Sequence, residues 1–324
     1  MSAVLLGLVF ISPPFLKKWL LKWFGGAKFG HQAQIGWFSS VVGNHVEMGD
    51  YSVVRPFTLI YVDGDVRLKA YSEISSFCMV YGSSTLEVGE GSYIGPHSLI
   101  NVDELVSIGN ASALGARTMI FTHGSFFPYT QGYWVKLAGV TLGDKVWCAA
   151  GVFIHPGVEI GENSFVNSGA VVAQSIPAGS IAEGNPAKVI YPMERVQRKM
   201  TPRHVDLALE KVLDGFVEIG LRRELGLDLI EREKGKVEFI YRGTRYMIQI
   251  IPSSGDVTPD EALTQGGKFI YLVNCAGWKP VKPSLVFDIE NMVTTFSKDR
   301  IHTALRLFAL RYYGMRFKDA GLVK

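Results

Sequence analysis

The sequence has 324 residues, 48% of them hydrophobic, and a formal net charge of +3. This composition supports a substantial buried core and excludes a chain dominated by disorder. The small net charge argues against a nucleic-acid partner, which usually requires a concentrated basic face. The three cysteines are an odd number and lie far apart, so we expect buried free thiols in a reducing, cytoplasmic compartment.

The first segment, residues 1–29, combines an apolar run with a basic amphipathic stretch. The run over residues 3–11 is far shorter than the ~20 residues that span a bilayer, and no lysine or arginine precedes it, which argues against a signal peptide. After two prolines, "FLKKWLLKWF" has helical spacing, with lysines at the edge of an apolar face made of Phe15, Leu16, Trp19, Leu20 and Trp23. Such a helix either lies on a membrane surface or packs on its own domain or a neighbouring subunit. In the first case, residues 1–24 would contact the inner face of the cell membrane.

A repeat of six residues runs from about residue 30 to residue 190. Examples are "IGPHSL" (94–99), "LGARTM" (114–119) and "IGENSF" (160–165), in which the first position is aliphatic, the second is often glycine and the fifth is usually small or β-branched. A period of six matches neither a plain strand nor a helix. It fits a triangular solenoid in which three blocks close one coil and the aliphatic position points inward, at the ~4.8 Å strand spacing. We assign glycine to turn positions with positive φ and the small fifth position to the inside of a corner.

The repeat stops after Ile120 and resumes near Val140. The intervening "FTHGSFFPYTQGYWVKLAG" mixes Gly, Pro, Thr and Gln with aromatic residues, which is typical of a loop. Loops carried on a rigid framework are frequent sites of binding and catalysis. His123 lies at the start of this loop and is therefore a candidate functional residue.

The hexad resembles that of the hexapeptide-repeat family, whose coils form a left-handed parallel β-helix. The stretches "VTLGDKVWCAAGVFIHPGVEIGENSFVNSGAVV" and "SIPAGSIAEGNPAKVI" are similar to the sugar O-acetyltransferase branch, which includes galactoside and maltose acetyltransferases. The resemblance implies a β-helical domain over residues 30–192, a homotrimer, and acetyl-CoA bound between neighbouring prisms. It also implies that His123, in "IFTH", is the catalytic histidine.

Imidazole suits that role, because it titrates near neutral pH and can take a proton from an attacking hydroxyl or amine. By resemblance, Asp103 and Asn101 in "NVDELVSIG" lie in the acceptor pocket and bind sugar hydroxyls. Asp103 has the alternative role of orienting His123. The loop aromatics either stack against a sugar ring or pack on the next subunit; they are Phe126, Phe127, Tyr129, Tyr133 and Trp134.

The cofactor side is expected after the loop. By analogy Trp147 shapes the CoA site, and Lys188 in "NPAK" binds a CoA phosphate as a point charge. Small residues would let pantetheine lie along a groove, although any hexapeptide turn also favours them; they are Ala150, Gly151, Ser168 and Gly169. We expect no metal.

Residues 200–324 differ in composition and predict an α+β domain of no family that we recognise. A helix is expected over 202–224, two strands flank an Arg242-Gly243 turn, two more strands follow, and a last helix stops near Gly314. The expected role of this domain is acceptor recognition or partner contact.

The leading hypothesis is an acetyl-CoA-dependent O-acetyltransferase acting on a saccharide, such as a surface-glycan precursor. An N-acetyltransferase of a nucleotide-linked amino sugar is the alternative. A γ-type carbonic anhydrase shares the β-helix but needs three zinc-binding histidines, and the closely spaced histidine pair of that family is missing from the sequence. A non-catalytic β-helix scaffold would need neither "IFTH" nor "NPAK".

Overall fold

The computed structural model of the chain describes residues 3–124, 127–255, 267–280 and 283–320. The chain divides into two compact units, Met1–Arg198 and Lys199–Lys324. Each unit has its own hydrophobic core.

Two helices open the first unit, α1 (Ala3–Ile11) and α2 (Pro14–Gly25). Helix α2 begins at a proline, whose fixed φ suits the first turn, and ends before Gly26, whose φ of 61° closes the helix in the left-handed region. Val9 of α1 and Leu21 of α2 are buried in the core of the first unit. Among the helices of the described part of the chain, none is long and apolar enough to cross a bilayer.

The rest of the first unit is a parallel β-helix. Its strands are β1 (Lys28–Phe29), β2 (Gln34–Ile35), β3 (Ser40–Val42), β4 (Val46–Met48), β5 (Val53–Val54), β6 (Leu59–Val62), β7 (Val66–Leu68), β8 (Glu73–Ile74), β9 (Met79–Gly82), β10 (Leu86–Val88), β11 (Tyr93–Ile94), β12 (Leu99–Asn101), β13 (Val106–Ile108), β14 (Ala113–Leu114), β15 (Met119–Ile120), β16 (His123–Gly124), β17 (Lys136–Leu137), β18 (Val140–Leu142), β19 (Trp147–Cys148), β20 (Phe153–Ile154), β21 (Glu159–Ile160), β22 (Phe165–Val166), β23 (Val171–Val172), β24 (Ser180–Glu183) and β25 (Lys188–Pro192).

Apart from β16 and β17, which pair with each other, these strands form the three faces of a prism. The first face has the order β1-β4-β7-β10-β13-β18-β21, the second β2-β5-β8-β11-β14-β19-β22-β24-β25, and the third β3-β6-β9-β12-β15-β20-β23. Successive coils pair in parallel, except that β25 returns antiparallel to β24. The fold class predicted from the hexad is therefore confirmed: the chain is mainly β and is built on a parallel β-helix.

The hexad positions explain this stacking. The aliphatic first position is buried, as at Ile94 and Leu114, which pair in adjacent coils. The small fifth position is also buried, and its hydroxyl bonds the backbone of the neighbouring coil: Ser112 Oγ donates to the Gly143 carbonyl at 2.8 Å. A hydroxyl at this position therefore satisfies a carbonyl that the corner would otherwise leave buried without a donor.

The predicted positive φ is found at fourth-position glycines, such as Gly91 (65°) and Gly169 (70°), but not at the second-position glycines. Gly109 has no positive φ; a Cβ there would lie 2.4 Å from the backbone of Gly143 in the next coil. Positive φ occurs instead at the fourth position, for example at His97 (60°) and Arg117 (60°). The hexad glycine is needed for close approach of two backbones, and the turn strain falls on a residue that often carries a side chain.

The second unit is α+β, as predicted. It contains α3 (Pro202–Gly215), a π-helical continuation (Phe216–Glu224) and α4 (Arg300–Tyr313), with a sheet in sequential order: β26 (Leu229–Glu233), β27 (Lys236–Tyr241), β28 (Thr244–Ile251), β29 (Lys268–Val273), β30 (Leu285–Asp288), β31 (Val293–Thr294) and β32 (Lys318–Asp319). Arg242 and Gly243 both have positive φ and join antiparallel β27 and β28, which confirms the predicted turn. Gly314 ends α4 with a φ of 67°.

The three cysteines are free. Burial raises the pKa of the Cys148 thiol to about 12 and that of Cys78 to about 11, so both stay protonated and unreactive at neutral pH. Cys275 is only half-buried, which departs from the prediction of three buried thiols.

Candidate functional site

The interruption of the repeat is a short hairpin at one corner of the prism. Strand β16 pairs antiparallel with β17, with His123 opposite Leu137. The Ala138 N–H also donates to the Thr122 carbonyl at 2.9 Å, so both ends of the excursion are held by backbone bonds. Sequence analysis predicted the loop but not this pairing, because strands of two residues carry no periodic signal.

Asp103 and His123 lie at the same corner in successive coils. Strands β12 and β15 pair with Ile100 opposite Ile120, so the residues three positions later in each coil share the corner between the third and first faces. His123 Nδ1 lies 2.8 Å from Asp103 Oδ2, and each side chain is 34% exposed. Of the two roles predicted for Asp103, this contact favours the orientation of His123.

Asn101, in the same coil as Asp103, contacts both Asp103 and His123. It is fully buried, and its Oδ1 lies 3.0 Å from His123 Nδ1. Its Nδ2 donates to Asp103 Oδ2 at 3.1 Å. Burial keeps Asn101 from reaching a sugar hydroxyl, so the structure does not support its predicted contact with the acceptor and instead gives it a supporting position.

These contacts define the tautomer of His123. Asn101 Oδ1 accepts from the Thr122 N–H at 3.3 Å, which assigns the oxygen of the amide to this side. His123 Nδ1 therefore faces two acceptors, the carboxylate of Asp103 and the amide oxygen of Asn101, and it must carry the proton. The lone pair then resides on Nε2, which is the atom available to accept a proton.

Thr122 is a supporting residue to which sequence analysis gave no role. It is fully buried; its Oγ1 donates to Asn101 Oδ1 at 2.7 Å and accepts from the Glu104 N–H at 3.1 Å. Ser83, one coil below Asp103, donates its N–H to Asp103 Oδ1 at 3.2 Å. Ser83 could have been identified from sequence spacing, because it lies 20 residues before Asp103, just as Asp103 lies 20 residues before His123.

The loop aromatics that the structure describes occupy three places. Trp134 lies over the hairpin, since a Cβ on Gly124 would be 3.8 Å from its six-membered ring. Phe127 and Tyr133 pack against each other with ring centroids 4.7 Å apart and ring planes tilted by 30°. Tyr129 lies in a single 3-10 turn, Tyr129–Gln131, and is exposed. Phe126 lies outside the described residues.

The predicted cofactor residues gather on another side of the prism. Trp147 lies on the second face, exposed, with its ring 4.7 Å from that of Phe165 in the next coil. The small residues occupy the corner between the second and third faces in two successive coils, and the Gly169 N–H donates to the Ala150 carbonyl at 2.9 Å. A Cβ at Gly169 would meet open space, so no neighbouring side chain covers the corner at this position. The remaining small residues at this corner are Gly151 and Ser168.

Lys188 begins β25 in the last coil, exposed and opposite Glu183. The second face carries Trp147, whereas His123 stands at the corner between the other two faces. A single protomer therefore does not bring the predicted cofactor residues to His123. Within the residues that the structure describes, no group of three or more His, Cys, Asp or Glu side chains could hold a metal ion.

No family model matches the chain. One curated relative is the "Putative acetyltransferase YJL218W" of Saccharomyces cerevisiae, 55% identical over 51 residues, which cover 16% of this chain and 26% of that protein. Another is the "Putative colanic acid biosynthesis acetyltransferase WcaF" of Escherichia coli, 38% identical over 74 residues, covering 23% of this chain and 40% of that protein. The chain thus spans well under half the length of these relatives.

Among solved structures, AntD, an N-acyltransferase from Bacillus cereus, is 20% identical with a TM-score of 0.39, covering 61% of this chain and 95% of that chain. Over the matched stretches, the chain is therefore similar to curated proteins that are named putative acetyltransferases.

Proposed function

We propose that this protein is an acetyl-CoA-dependent acetyltransferase that moves an acetyl group to a hydroxyl of a saccharide, with His123 as the general base. The observation that carries the proposal is the arrangement around Nδ1. The two oxygens that face Nδ1 hold the proton there and leave the Nε2 lone pair for the acceptor, which is what a general base requires.

Acetyl-CoA supplies the acetyl group, activated as a thioester. Nε2 takes the proton of the acceptor hydroxyl as the new carbon–oxygen bond forms. The positive charge that develops on the ring is stabilised through Nδ1 by the carboxylate of Asp103. When the carbon–sulfur bond breaks, the same Nε2 returns its proton to the departing thiolate, so the histidine ends the reaction neutral.

We propose that the working form is a homotrimer. His123 and the predicted cofactor residues occupy different sides of one prism, so a cofactor lying against one prism meets the histidine of its neighbour. In that arrangement Trp147 and the small corner of Ala150, Gly151, Ser168 and Gly169 hold the pantetheine arm, and Lys188 binds a phosphate of CoA.

Two observations support a saccharide acceptor. Trp134 and Tyr129 expose aromatic rings in the loop that carries His123, and exposed aromatic faces suit the apolar face of a sugar ring. One relative is named for colanic acid biosynthesis. We therefore propose a role in polysaccharide biosynthesis, in the cytoplasm.

The test is release of free thiol from acetyl-CoA against a panel of sugars. We expect turnover that His123→Ala abolishes and His31→Ala, a matched change at an exposed position of the first coil, leaves unchanged. Undiminished turnover in His123→Ala would sink the assignment of the base. Treating the product with hydroxylamine distinguishes a labile O-acetyl ester from a resistant N-acetyl amide, so an amide on a nucleotide-linked amino sugar would replace the hydroxyl acceptor.

A further inference from the structure

The N-terminal cap, which we define as α1 and α2, is fixed to the first coil by its inner side. Val9 and Leu21 belong to the β-helix core. Lys17 is fully buried, and its Nζ donates to the Ser39 carbonyl at 2.6 Å and to the Phe10 carbonyl at 3.2 Å. Lys18 Nζ donates to the Ala33 carbonyl at 2.9 Å. Attachment of the cap therefore uses a side other than the apolar face predicted from the sequence.

That apolar face points away from the protein. Phe15 and Trp23 are 76% and 73% exposed, and Trp19, 54% exposed, stacks on Trp23 with ring centroids 5.7 Å apart. Leu20 alone of the predicted face is partly buried against the core. The cap also exposes Val4, Leu8, Ile11, Leu16 and Phe24. Clusters of large exposed apolar residues mark interaction surfaces.

The charge of this region selects the kind of partner. Glu47 is the first acidic residue of the sequence, and the basic residues before it are lysines 17, 18, 22 and 28. Within the cap, Lys22 is exposed and no acidic residue occurs. Lys28 lies outside the cap, on β1, opposite the exposed Glu47 of β4. A cap surface that combines paired tryptophans, aliphatic side chains and an exposed lysine, with no acid in the cap itself, matches the interface of an anionic bilayer, where tryptophan lies at headgroup depth and lysine contacts lipid phosphate.

We infer that the outer side of the cap docks this protein on the surface of an anionic lipid bilayer. The proposal concerns a surface remote from His123 and does not depend on acetyl transfer. The helices lie in the interface without crossing it, with Trp19, Trp23 and Phe15 inserted among the headgroups. Lys17 and Leu21 stay buried against the β-helix and keep the cap folded in the bound state.

The first experiment is co-sedimentation of the full chain with phosphatidylcholine vesicles, with and without phosphatidylglycerol. We expect binding to the anionic vesicles, weaker binding to the neutral ones, and a loss of binding at high salt. The paired change Trp19→Glu and Trp23→Glu should lower partition more than about tenfold. Phe296→Glu places the same charge on an aromatic residue of similar exposure, 50%, in the other unit and should bind like the wild type.

A second measurement separates a loss of membrane binding from unfolding of the cap in the glutamate variant. The paired change Trp19→Phe and Trp23→Phe keeps the apolar surface but removes the two tryptophans whose fluorescence would report insertion into the bilayer. Brominated lipids should quench the tryptophan fluorescence of the wild type, and this variant should still bind vesicles while losing most of that quenching.

Equal vesicle binding by the wild type and the Trp19→Glu, Trp23→Glu variant would overturn the proposal. Absence of vesicle binding by the wild type would also overturn it. If, in lipid-free solution, the glutamate variant then had a lower mass than the wild type, the cap would instead join two copies of the chain. Acetyl transfer to a soluble sugar should be the same in all these variants, which separates failure of docking from failure of the proposed function.

Discussion

Asp103 and His123 touch because they are one coil apart. The carboxylate Oδ2 meets the ring Nδ1 at 2.8 Å, although neither residue lies in a hexad block. Both belong to the longer corner between the third and first faces, which the coils before the loop repeat every 20 residues, as the contact between Ser83 and Asp103 also illustrates.

Asp103→Asn tests the tautomer directly. An asparagine can turn its NH2 towards Nδ1 and favour the ring form with the proton on Nε2, which cannot accept another. We expect kcat to fall roughly 10²–10⁴-fold with a smaller change in KM, by analogy with triads of this kind. Asp63→Asn, the same change at an exposed position two coils below, is the control. Full activity in Asp103→Asn would show that the carboxylate does not orient the base.

Thr122→Val tests the support beneath the base at nearly constant volume. The change removes the donor to Asn101 Oδ1 and the acceptor of the Glu104 N–H, so we expect a loss of about 1–3 kcal/mol in stability and a drop in kcat. Thr118→Val removes a buried hydroxyl that bonds only the Gly115 carbonyl. It should lower the melting temperature but leave kcat alone, so an equal kcat in the two variants would contradict a positioning role for Thr122.

A mixing experiment tests the proposed trimer. His123→Ala disables the base, and Ala150→Trp adds a bulky side chain at an exposed corner position, so each variant alone should be inactive. If each site uses the histidine of one subunit and the small corner of its neighbour, every mixed trimer has one intact site, and co-expression should restore about a quarter of the wild-type activity. Activity that stays absent in verified mixed trimers would exclude a shared site.

Two glycines of one hexad should respond differently to alanine. In Gly89→Ala the new Cβ would lie 2.4 Å from the backbone of Gly109, whereas Gly91 has a φ of 65° and open space around it. We expect a loss of about 1–2 kcal/mol at Gly91 from the left-handed backbone and a larger loss at Gly89, where two coils must separate. Thermal unfolding of both variants measures the order, and the reverse order would contradict the close-approach role.

Lys17 makes stability depend on pH in the alkaline range. Burial lowers the pKa of its ammonium from 10.5 to about 8 in the folded chain. Between these two values the unfolded chain binds the proton more tightly, so this residue adds stability as the pH rises from about 8 to 10.5. The wild type should therefore gain stability relative to Lys17→Met over that interval, which urea unfolding at several pH values would measure. A constant difference would mean that Lys17 is not buried as the structure has it.

The sequence predicted the β-helix well because the hexad is a local pattern. Each block carries its own inward aliphatic residue, such as Ile94 or Leu114, and no distant contact is needed to recognise it. The position of His123 at the break was predictable for the same reason. Its contact with Asp103 was only one of two options, because hexads alone give no length for the corner that separates one coil from the next.

Two features could be recognised only from the three-dimensional structure. Lys17 has the sequence context of an exposed lysine beside an apolar face, yet it is buried because the Ser39 and Phe10 carbonyls lie within its reach. The role of the second-position glycine likewise depends on the coil stacked above it, as Gly109 and Gly143 illustrate. Neither a buried acceptor nor a neighbouring backbone leaves a trace in the local pattern.

The regular rise of the coils also sets the distance between the cap and His123. On the third face, β3 packs against the cap and β15 precedes His123, with β6, β9 and β12 between them. Four steps of ~4.8 Å separate the histidine from the cap by about 20 Å along the prism axis, which is its height above the bilayer when that axis stands normal to the membrane. A lipid headgroup is too short to bridge that gap. In the proposed docked state with an upright prism, the β-helix would therefore act as a spacer that holds His123 clear of the headgroups.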